Sequence, residues 1–308
     1  MPEPELTIAS LLRDPALADA CTQWLRGGRY RLEPIAVGRD PLRALEERRE
    51  GFDALLVEQG VLTDATARAF EEQGLLLPAV VIGAVSGRIE LHEAEVHLPP
   101  DQLEQLPYSL DAAVARFLRR GTPSLAAPEA GSAQDGRIPT APEAATDANA
   151  DTATGGGAER WKLTNRLRGR LGYLGLYYKR DPARFLRNLS AEDREDLLAS
   201  LTRTYRDLLL SYFRDPAVAN QALESFVNTA FFSDLTITRV VEIHMNLIDR
   251  FGKQLQLEGH KNDFLQDYRL ALLDVMAHLC EMYRRSIPPD PPLGSEPAAL
   301  SAHSAAGP

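Results

Sequence analysis

The chain has 308 residues, of which 44% are hydrophobic, and carries a formal net charge of −10. This length allows two domains of ordinary size, and the absence of any run of about 18 apolar residues argues against a membrane-spanning protein. The basic residues form one short cluster, at residues 160–170, which is more typical of a solvated helix face than of a phosphate-contacting surface, so neither nucleic acid nor a membrane is expected as a partner.

Short apolar runs alternate with helical patterns in the first 120 residues. This alternation predicts an α/β domain with a parallel sheet covered by helices. The predicted strands cover residues 6–12, 30–37, 52–58, 78–84 and, more weakly, 94–98. The predicted helices cover residues 15–28, 40–50, 64–74 and 109–120, the second with Asp40 as its cap and Pro41 in its first turn. The order of elements resembles a receiver domain, which has a flavodoxin-like fold.

The positions that would carry phosphotransfer in a receiver are occupied by unsuitable residues. No pair of acids follows the first strand, Glu58 replaces the phosphate-accepting Asp, Gly83 replaces a hydroxyl residue, and Leu98 replaces a Lys. Without the acids that hold Mg²⁺ and without the Lys, phosphoryl transfer loses its main electrostatic stabilisation. We therefore expect a pseudo-receiver that does not accept phosphate.

Two segments have the composition of linkers. Residues 121–158 and 288–308 consist mostly of small and polar residues with Pro and Gly, and such segments bury too little apolar surface to offset the entropy of ordering. The expected organisation is a pseudo-receiver domain at 1–120, a flexible linker at 121–158, a helical domain at 159–287 and a disordered tail at 288–308.

Only helical patterns are found between the linker and the tail. Large apolar or aromatic residues at 161, 167, 171, 174 and 178 follow a period of 3.6 residues. Three further helices are predicted to begin at Ser190, at Asp215–Pro216 and at Thr236, and a last one at about residue 262. These patterns predict an all-α bundle of the four-helix type.

No established catalytic or metal-binding motif is present. The stretch "HEAEVH" (92–97) has metal-ligand residue types, but its spacing and the lack of a third partner argue against a metal site. His244 and His278 fall on apolar helix faces, where a hydrogen-bonded packing histidine is the usual case. We expect neither enzymatic activity nor a bound metal.

Several long segments resemble the KaiA family of circadian clock proteins. They are "LGYLGLYYKRDPARFLRNL" (171–189), "FVNTAFFSD", "VVEIHMNLID" and "AHLCEMYRRSIP" in the second half, and "QLEQLPYSLDAAVARFLR" at the end of the first domain. The resemblance implies a pseudo-receiver joined to a helical bundle that forms a homodimer. It also implies a cytoplasmic, non-catalytic protein that binds the C-terminal tail of the clock kinase KaiC and stimulates its autophosphorylation, and that is sequestered by KaiB–KaiC.

The resemblance and helix geometry together suggest where the kinase tail would bind. His278 is the first choice, because the family's "AHLCEMYR" segment is implicated in kinase contact, and the flanking residues follow from spacing on the last two long helices. The predicted partner-binding residues are His278, Asp274, Glu281, Met245, Asp249 and Glu242.

The tyrosine- and glycine-rich stretch is predicted to lie at the dimer interface. Its glycines allow close helix approach, and its tyrosines combine large area with a polar tip. The predicted dimer residues are Gly172, Tyr173, Gly175, Tyr177, Tyr178 and Cys280. The resemblance also suggests that the protein senses oxidised quinones. Cys280 could take part in this sensing, although a buried and inert thiol is the simpler expectation. Cys21 and Cys280 imply no disulfide framework, which fits a reducing cytosol.

Two alternatives remain open at the level of sequence. A two-component response regulator with a helical output domain would have to take up phosphate. An enzyme using Glu242, His244 and Asp249 would need a nucleophile or glycine-rich loop, and none accompanies them.

Overall fold

The computed structural model of the chain describes residues 6–35, 40–48, 50–120, 163, 167, 180–258 and 263–287. Its amino-terminal domain contains a five-stranded parallel sheet in the order β2-β1-β3-β4-β5. The strands are β1 (Leu6–Leu11), β2 (Tyr30–Pro34), β3 (Ala54–Glu58), β4 (Ala79–Ile82) and β5 (Val96–Leu98). The helices are α1 (Pro15–Leu25), α2 (Pro41–Glu47), α3 (Asp64–Glu72) and α4 (Leu106–Arg120). This strand order is that of flavodoxin-like sheets, and the predicted fold class of the first domain is confirmed.

Helix starts in this domain follow from local sequence. The carboxylate of Asp14 accepts the backbone N–H of Ala16 at 2.9 Å, and that of Asp40 accepts the N–H of Leu42 at 3.1 Å. In each case a Pro occupies the first helical position, which needs no N–H donor. The predicted capping role of Asp40 is therefore confirmed.

The connection from β4 to β5 departs from regular alternation. Residues 83–95, all of them described, form bends, turns and irregular segments with no helix. In this connection Gly87 has a φ of +73°, and a Cβ atom built on it would lie 2.6 Å from the Cβ of Ala217 in the second domain. A glycine is therefore required at the place where this loop touches the second domain.

The second domain is helical in its described part. Its long helices are α5 (Ala191–Ser211), α6 (Pro216–Phe232), α7 (Ile237–Leu257) and α8 (Arg269–Ser286). Ser190, Asp215 and Thr236 are the N-caps of α5, α6 and α7, as predicted. The last helix was expected to begin near residue 262, but a 3₁₀ helix (Asp263–Tyr268) precedes it and α8 begins at Arg269.

Helix α6 lies at the centre of this domain. Each of its residues from Ser225 to Phe232 is buried, the condition expected of a helix that contacts neighbours on all sides. Leu163 and Leu167 are helical and buried in the same core; Leu167 belongs to the predicted apolar series, and the other members of that series lie outside the described residues. None of the described helices is both long enough and apolar enough to cross a membrane.

The two domains share one hydrophobic core, which the sequence did not indicate. One face of the sheet packs against α2 and α3 in a cluster of its own. The other face packs against α1 and α4, and this cluster continues without a break into α5, α6 and α7. Helix α4 contacts both the sheet and α6, so it forms the layer that joins the domains.

A buried glutamine connects the domains within this layer. Gln105 is fully buried, and its amide nitrogen donates to the hydroxyls of Ser200 at 2.7 Å and Thr204 at 2.8 Å, both on α5. Its carbonyl oxygen accepts from the hydroxyl of Thr229 on α6 at 2.9 Å. The Gln105 side chain therefore fixes the position of the first domain against two helices of the second.

Candidate partner-binding surface

A groove lies between α7 and the segment that includes α8. Its cavity has a volume of about 780 Å³, within the range of ligand-binding pockets. Met245, Ile248 and Gly252 line it on α7, and Leu272 and Leu273 line it on α8. We refer to this cavity as the α7–α8 groove.

Apolar side chains beside the groove are exposed to solvent. On α7, Val241 and Met245 are 37% and 58% exposed, and on α8, Leu270 and Leu273 are 52% and 63% exposed. The two residues on each helix are spaced three or four apart, so each pair shares one face of its helix. We call these four residues the apolar stripe. Exposed apolar side chains on neighbouring helices are a feature of many protein–protein contact surfaces.

His278 is exposed on α8, one turn beyond Asp274. Its Nδ1 lies 2.8 Å from the carbonyl oxygen of Asp274. Because a carbonyl oxygen only accepts, Nδ1 is the donor in this contact. The expectation that His278 is a packing residue is wrong, whereas its position on the surface suits a partner-binding residue.

Asp274 is held by a tyrosine from another helix. The hydroxyl of Tyr212, at the end of α5, donates to the carboxylate of Asp274. Burial of the hydroxyl and this carboxylate together raise the pKa of Tyr212 to about 12, so the hydroxyl stays protonated. The Tyr212 ring packs on Phe213, and Phe213 packs on Tyr268, with ring centroids 4.9 and 5.3 Å apart. Sequence reasoning missed this aromatic cluster beside the start of α8.

Glu281 is paired within its own helix. Its carboxylate accepts from Arg284 at 2.7 Å and from Arg285 at 2.5 Å. The hydrogen bond from Arg284 is the main reason that the pKa of Glu281 falls to about 2. Glu281 is therefore ionised at neutral pH but already neutralised by arginines, so the surface around His278 is less acidic than sequence alone suggests.

The predicted residues on α7 separate into two places. Met245 and Asp249 both line the α7–α8 groove, and Asp249 pairs with Lys253 at 2.6 Å. Glu242 instead pairs with Arg239 at 2.7 Å and lines a smaller cavity of about 140 Å³ against α5. The structure thus places Met245 and Asp249 together and Glu242 apart from them.

His244 lies beneath the groove. It is buried, and its Nδ1 is 3.1 Å from the hydroxyl of Tyr205 on α5. Burial lowers the pKa of His244 below its ordinary value. The expectation of a hydrogen-bonded packing histidine is confirmed. Glu242, His244 and Asp249 each have a different partner, so the geometry gives no support to a catalytic group.

The predicted dimer residues are mostly outside the described part of the chain. Gly172, Tyr173, Gly175, Tyr177 and Tyr178 all fall there. Cys280 is described and is exposed, so the expectation of a buried thiol is wrong for the single chain.

Arg269 is a groove residue that sequence reasoning did not identify. It lines the α7–α8 groove from the first turn of α8, and among the described residues no ion pair is recorded for its guanidinium. The signal in the sequence was weak, because a single Arg at the start of a helix is common on solvated surfaces.

The carboxyl edge of the sheet is filled by neighbouring side chains. Glu58 accepts the backbone N–H groups of Arg13 at 2.6 Å and Asp14 at 3.2 Å. A Cβ atom on Gly83 would lie 2.4 Å from the side chain of Gln59, and Leu98 is fully buried in β5. Of the three positions of the degenerate receiver site, Glu58 therefore bonds backbone N–H groups, and Gly83 and Leu98 are closely packed.

The "HEAEVH" segment is divided between two contacts. His92 Nε2 lies 2.8 Å from the carbonyl oxygen of Leu77, whereas His97 Nε2 lies 2.7 Å from the buried carboxylate of Glu95. Among the described residues, no group of three or more His, Cys, Asp or Glu side chains is arranged to hold a metal ion.

Comparisons with known proteins match almost the whole chain. The family described as "Circadian clock protein KaiA, N-terminal domain" matches residues 6–121, and the family "KaiA C-terminal domain" matches residues 169–290. A relative from Parasynechococcus marenigrum named "Circadian clock oscillator protein KaiA" is 54% identical over 95% of this chain and 93% of its own length. A relative of the same name from Synechococcus elongatus is 40% identical over 92% of this chain and 98% of its own length. The solved C-terminal domain of Thermosynechococcus elongatus KaiA is 50% identical over 34% of this chain and all of its own, with a TM-score of 0.31.

Proposed function

Because this chain belongs to the KaiA family of circadian clock proteins, we propose that it is a non-catalytic regulator of a circadian clock. In this proposal the chain forms a homodimer through its second domain and binds the C-terminal tail of the clock kinase KaiC. Binding the tail in an exposed conformation raises the autophosphorylation of the kinase, and capture by KaiB–KaiC ends the stimulation. A ligand shifts a conformational equilibrium only through its preference for one state, so stimulation should follow affinity for the exposed tail.

The observation that carries this proposal is the α7–α8 groove beside the apolar stripe. A groove with apolar walls accepts the apolar side chains of a peptide, and polar groups at its rim fix the direction of the peptide. Asp249, Lys253 and Arg269 supply such groups at the rim. The apolar stripe supports pairing of two copies, because exposed apolar side chains of this size are stabilised when a second surface covers them.

We assign a direct role in tail binding to His278. Its Nε2 faces away from the helix carbonyl that Nδ1 contacts, and its side chain is exposed. Because the side chain lies on the surface, we expect its removal to leave the fold intact. Asp274, held by Tyr212, and Met245, at the groove wall, are proposed as further contacts.

The test is titration calorimetry of the full-length chain with a synthetic peptide of the KaiC tail. We expect His278→Ala to weaken binding by at least about tenfold, as truncation of a central interface residue commonly does. Glu195→Ala, at an exposed position on α5, should bind like the wild type. Equal affinities for His278→Ala and wild type, with both proteins dimeric, would remove His278 from the site.

A second experiment tests the function itself. The purified chain is added to KaiC with ATP, and phosphorylation of the kinase is followed over time. We expect a higher level of phosphorylated kinase with the wild-type chain than without it. An unchanged level would contradict the proposed function, whatever the calorimetry shows.

A further inference from the structure

The carboxylates of α7 and α8 differ in what compensates their charge. Three of them form ion pairs with a Lys or Arg of the same helix, at distances of 2.5–2.7 Å: Asp249, Glu242 and Glu281. The fourth is Asp274, which is exposed on α8. Within the described part of the chain, no Lys, Arg or His side chain forms an ion pair with it. Asp274 is therefore the carboxylate on these two helices that is left for a cation from another molecule.

The Asp274 carboxylate is held by a neutral donor. The hydroxyl of Tyr212, at the end of α5, donates to it. A hydroxyl carries no net charge, so it orients the carboxylate without cancelling its charge. An ionised carboxylate has lone-pair sites for about four hydrogen bonds, so the bond from Tyr212 leaves room for a second donor. A side chain from one helix thus fixes the position of a charged group on another.

An exposed aromatic ring lies next to this pair. The ring of Phe213 packs on the rings of Tyr212 and Tyr268, with centroids 4.9 and 5.3 Å apart, and Phe213 is 54% exposed. The faces of aromatic rings attract Lys and Arg cations, and the effect is about 0.5–1 kcal/mol at exposed sites. A carboxylate and an exposed ring, connected through Tyr212, together suit a basic side chain.

His278 places this arrangement on the proposed path of the kinase tail. Asp274 and His278 are four residues apart, so they share one face of α8 and lie about 5–6 Å from each other. Arg269, which lines the α7–α8 groove, is five residues before Asp274, or about 140° away around the helix. A peptide that contacts His278 therefore passes Asp274, and this contact is additional to those in the groove.

We propose that Asp274 binds a Lys or Arg side chain of the KaiC tail, that Tyr212 is the positioning residue which fixes the Asp274 carboxylate for this contact, and that Phe213 packs on the same basic side chain. The inference rests on the proposed function and names the chemistry which that function requires of the tail. It differs from attraction to a general acidic surface, because the other carboxylates of α7 and α8 already have cationic partners. A tail that lacks the basic residue binds more weakly.

The first test is titration calorimetry of the full-length chain with a synthetic KaiC tail peptide at low and high salt. Asp274→Asn removes the charge, and we expect about three- to fivefold weaker binding, as for an ion pair at an exposed site, with less dependence on salt than in the wild type. Tyr212→Phe should weaken binding about twofold but keep the salt dependence, because the carboxylate remains. Phe213→Leu should weaken binding about two- to threefold. Asp196→Asn, at an exposed position on α5, is the matched control and should bind like the wild type.

A charge reversal separates a direct contact from a structural effect. Asp274→Lys should bind the natural peptide at least about tenfold more weakly, because like charges repel. Peptides in which one Lys or Arg at a time is replaced by Glu are then titrated against this variant. We expect one of them to bind within about threefold of the natural pair. Damage to α8 would not be repaired by a change in the peptide.

The orienting bond is tested separately by NMR of the chain with ¹³C-labelled tyrosine, in which Tyr212→Phe assigns the Tyr212 signal. We expect this signal to shift in Asp274→Asn and, in the wild type, when the tail peptide is added. Equal affinity and equal salt dependence of wild type and Asp274→Asn would overturn the inference while leaving the proposed function in place. An unmoved Tyr212 signal in Asp274→Asn, or no Glu peptide that restores binding to Asp274→Lys, would overturn it as well. A wild type that does not bind the tail peptide would overturn both.

Discussion

The domain junction differs from the α7–α8 face, by which we mean the α7–α8 groove together with the apolar stripe. The side chains of the two regions are stabilised in opposite ways. At the junction, the buried side chain of Gln105 bonds the buried hydroxyls of Ser200 and Thr229 across the boundary between domains. On the α7–α8 face, apolar groups such as Met245 and Leu273 are exposed beside an open groove. Buried hydrogen bonds require a fixed geometry, whereas exposed apolar groups are stabilised by any surface that covers them.

The difference indicates which surface is complete within one chain. A junction closed by buried hydrogen bonds is costly to open, because each group would need a new partner. The apolar stripe has no such cost and gains stability only when another molecule packs on it.

The largest effect is expected at Gln105. Replacement by Leu keeps most of the volume but removes the partner of the Ser200 and Thr229 hydroxyls, so we expect the free energy of unfolding to fall by about 2–4 kcal/mol, at about 1–3 kcal/mol for each buried group left unpaired. Urea unfolding of Gln105→Leu and the wild type would measure this. Gln254→Leu, on the exposed surface of α7, should change stability by less than about 0.5 kcal/mol. A similar small change at Gln105 would show that the junction is not closed by its hydrogen bonds.

The second prediction concerns the apolar stripe. Leu270→Glu places a charge in the proposed contact between two copies without altering a groove-lining residue, so we expect the dissociation constant of the dimer to rise at least about 30-fold, the effect of losing a contact of about 2 kcal/mol. Sedimentation over a concentration series would measure it. Leu257→Glu is the matched control, since Leu257 is 89% exposed at the end of α7. Identical sedimentation of Leu270→Glu and Leu257→Glu would place the dimer contact elsewhere.

The third prediction uses two glycines with the same backbone conformation. Gly87 and Gly60 have φ values of +73° and +74°, but a Cβ atom would meet Ala217 at Gly87 and no atom within 4 Å at Gly60. Alanine at either position costs about 1 kcal/mol of backbone strain. We expect Gly87→Ala to lose about 1 kcal/mol more, as overpacking does, with faster hydrogen exchange at the start of α6. Equal losses at the two sites would mean that the loop does not press on α6.

Sequence patterns identified most elements because their signals are local. Asp40, Ser190, Asp215 and Thr236 each bond a backbone N–H a few residues away, so a short window contains the whole interaction. The strands of the sheet were found in the same way, from runs of apolar residues that are buried on both faces.

The junction and much of the candidate site could not be found in this way. Gln105 meets Ser200 and Thr229 across about a hundred residues of sequence, and Tyr212 meets Asp274 across 62. No periodicity encodes such pairs. Spacing predicts that Glu281 shares a helix face with His278, but spacing does not reveal that Arg284 and Arg285 pair with its carboxylate. Helical geometry predicts which residues share a face, whereas their partners depend on how helices pack.

The smallest effect is expected from His244, the ionisable group beneath the α7–α8 groove. Burial lowers its pKa in the folded chain, while the unfolded chain keeps a value near about 6.5. Below that pH the unfolded state binds more protons, so stability falls as the pH drops through about 6.5 and continues to fall until the folded-state pKa is reached. The loss should stay under about 1.4 kcal/mol per pH unit, the limit for one titrating group. Urea unfolding at several pH values, with His244→Gln as the comparison, would isolate it. A wild type and variant with parallel pH profiles would show that the groove floor is hydrated enough to accept the imidazolium. The openness of the α7–α8 groove would then reach the level of His244.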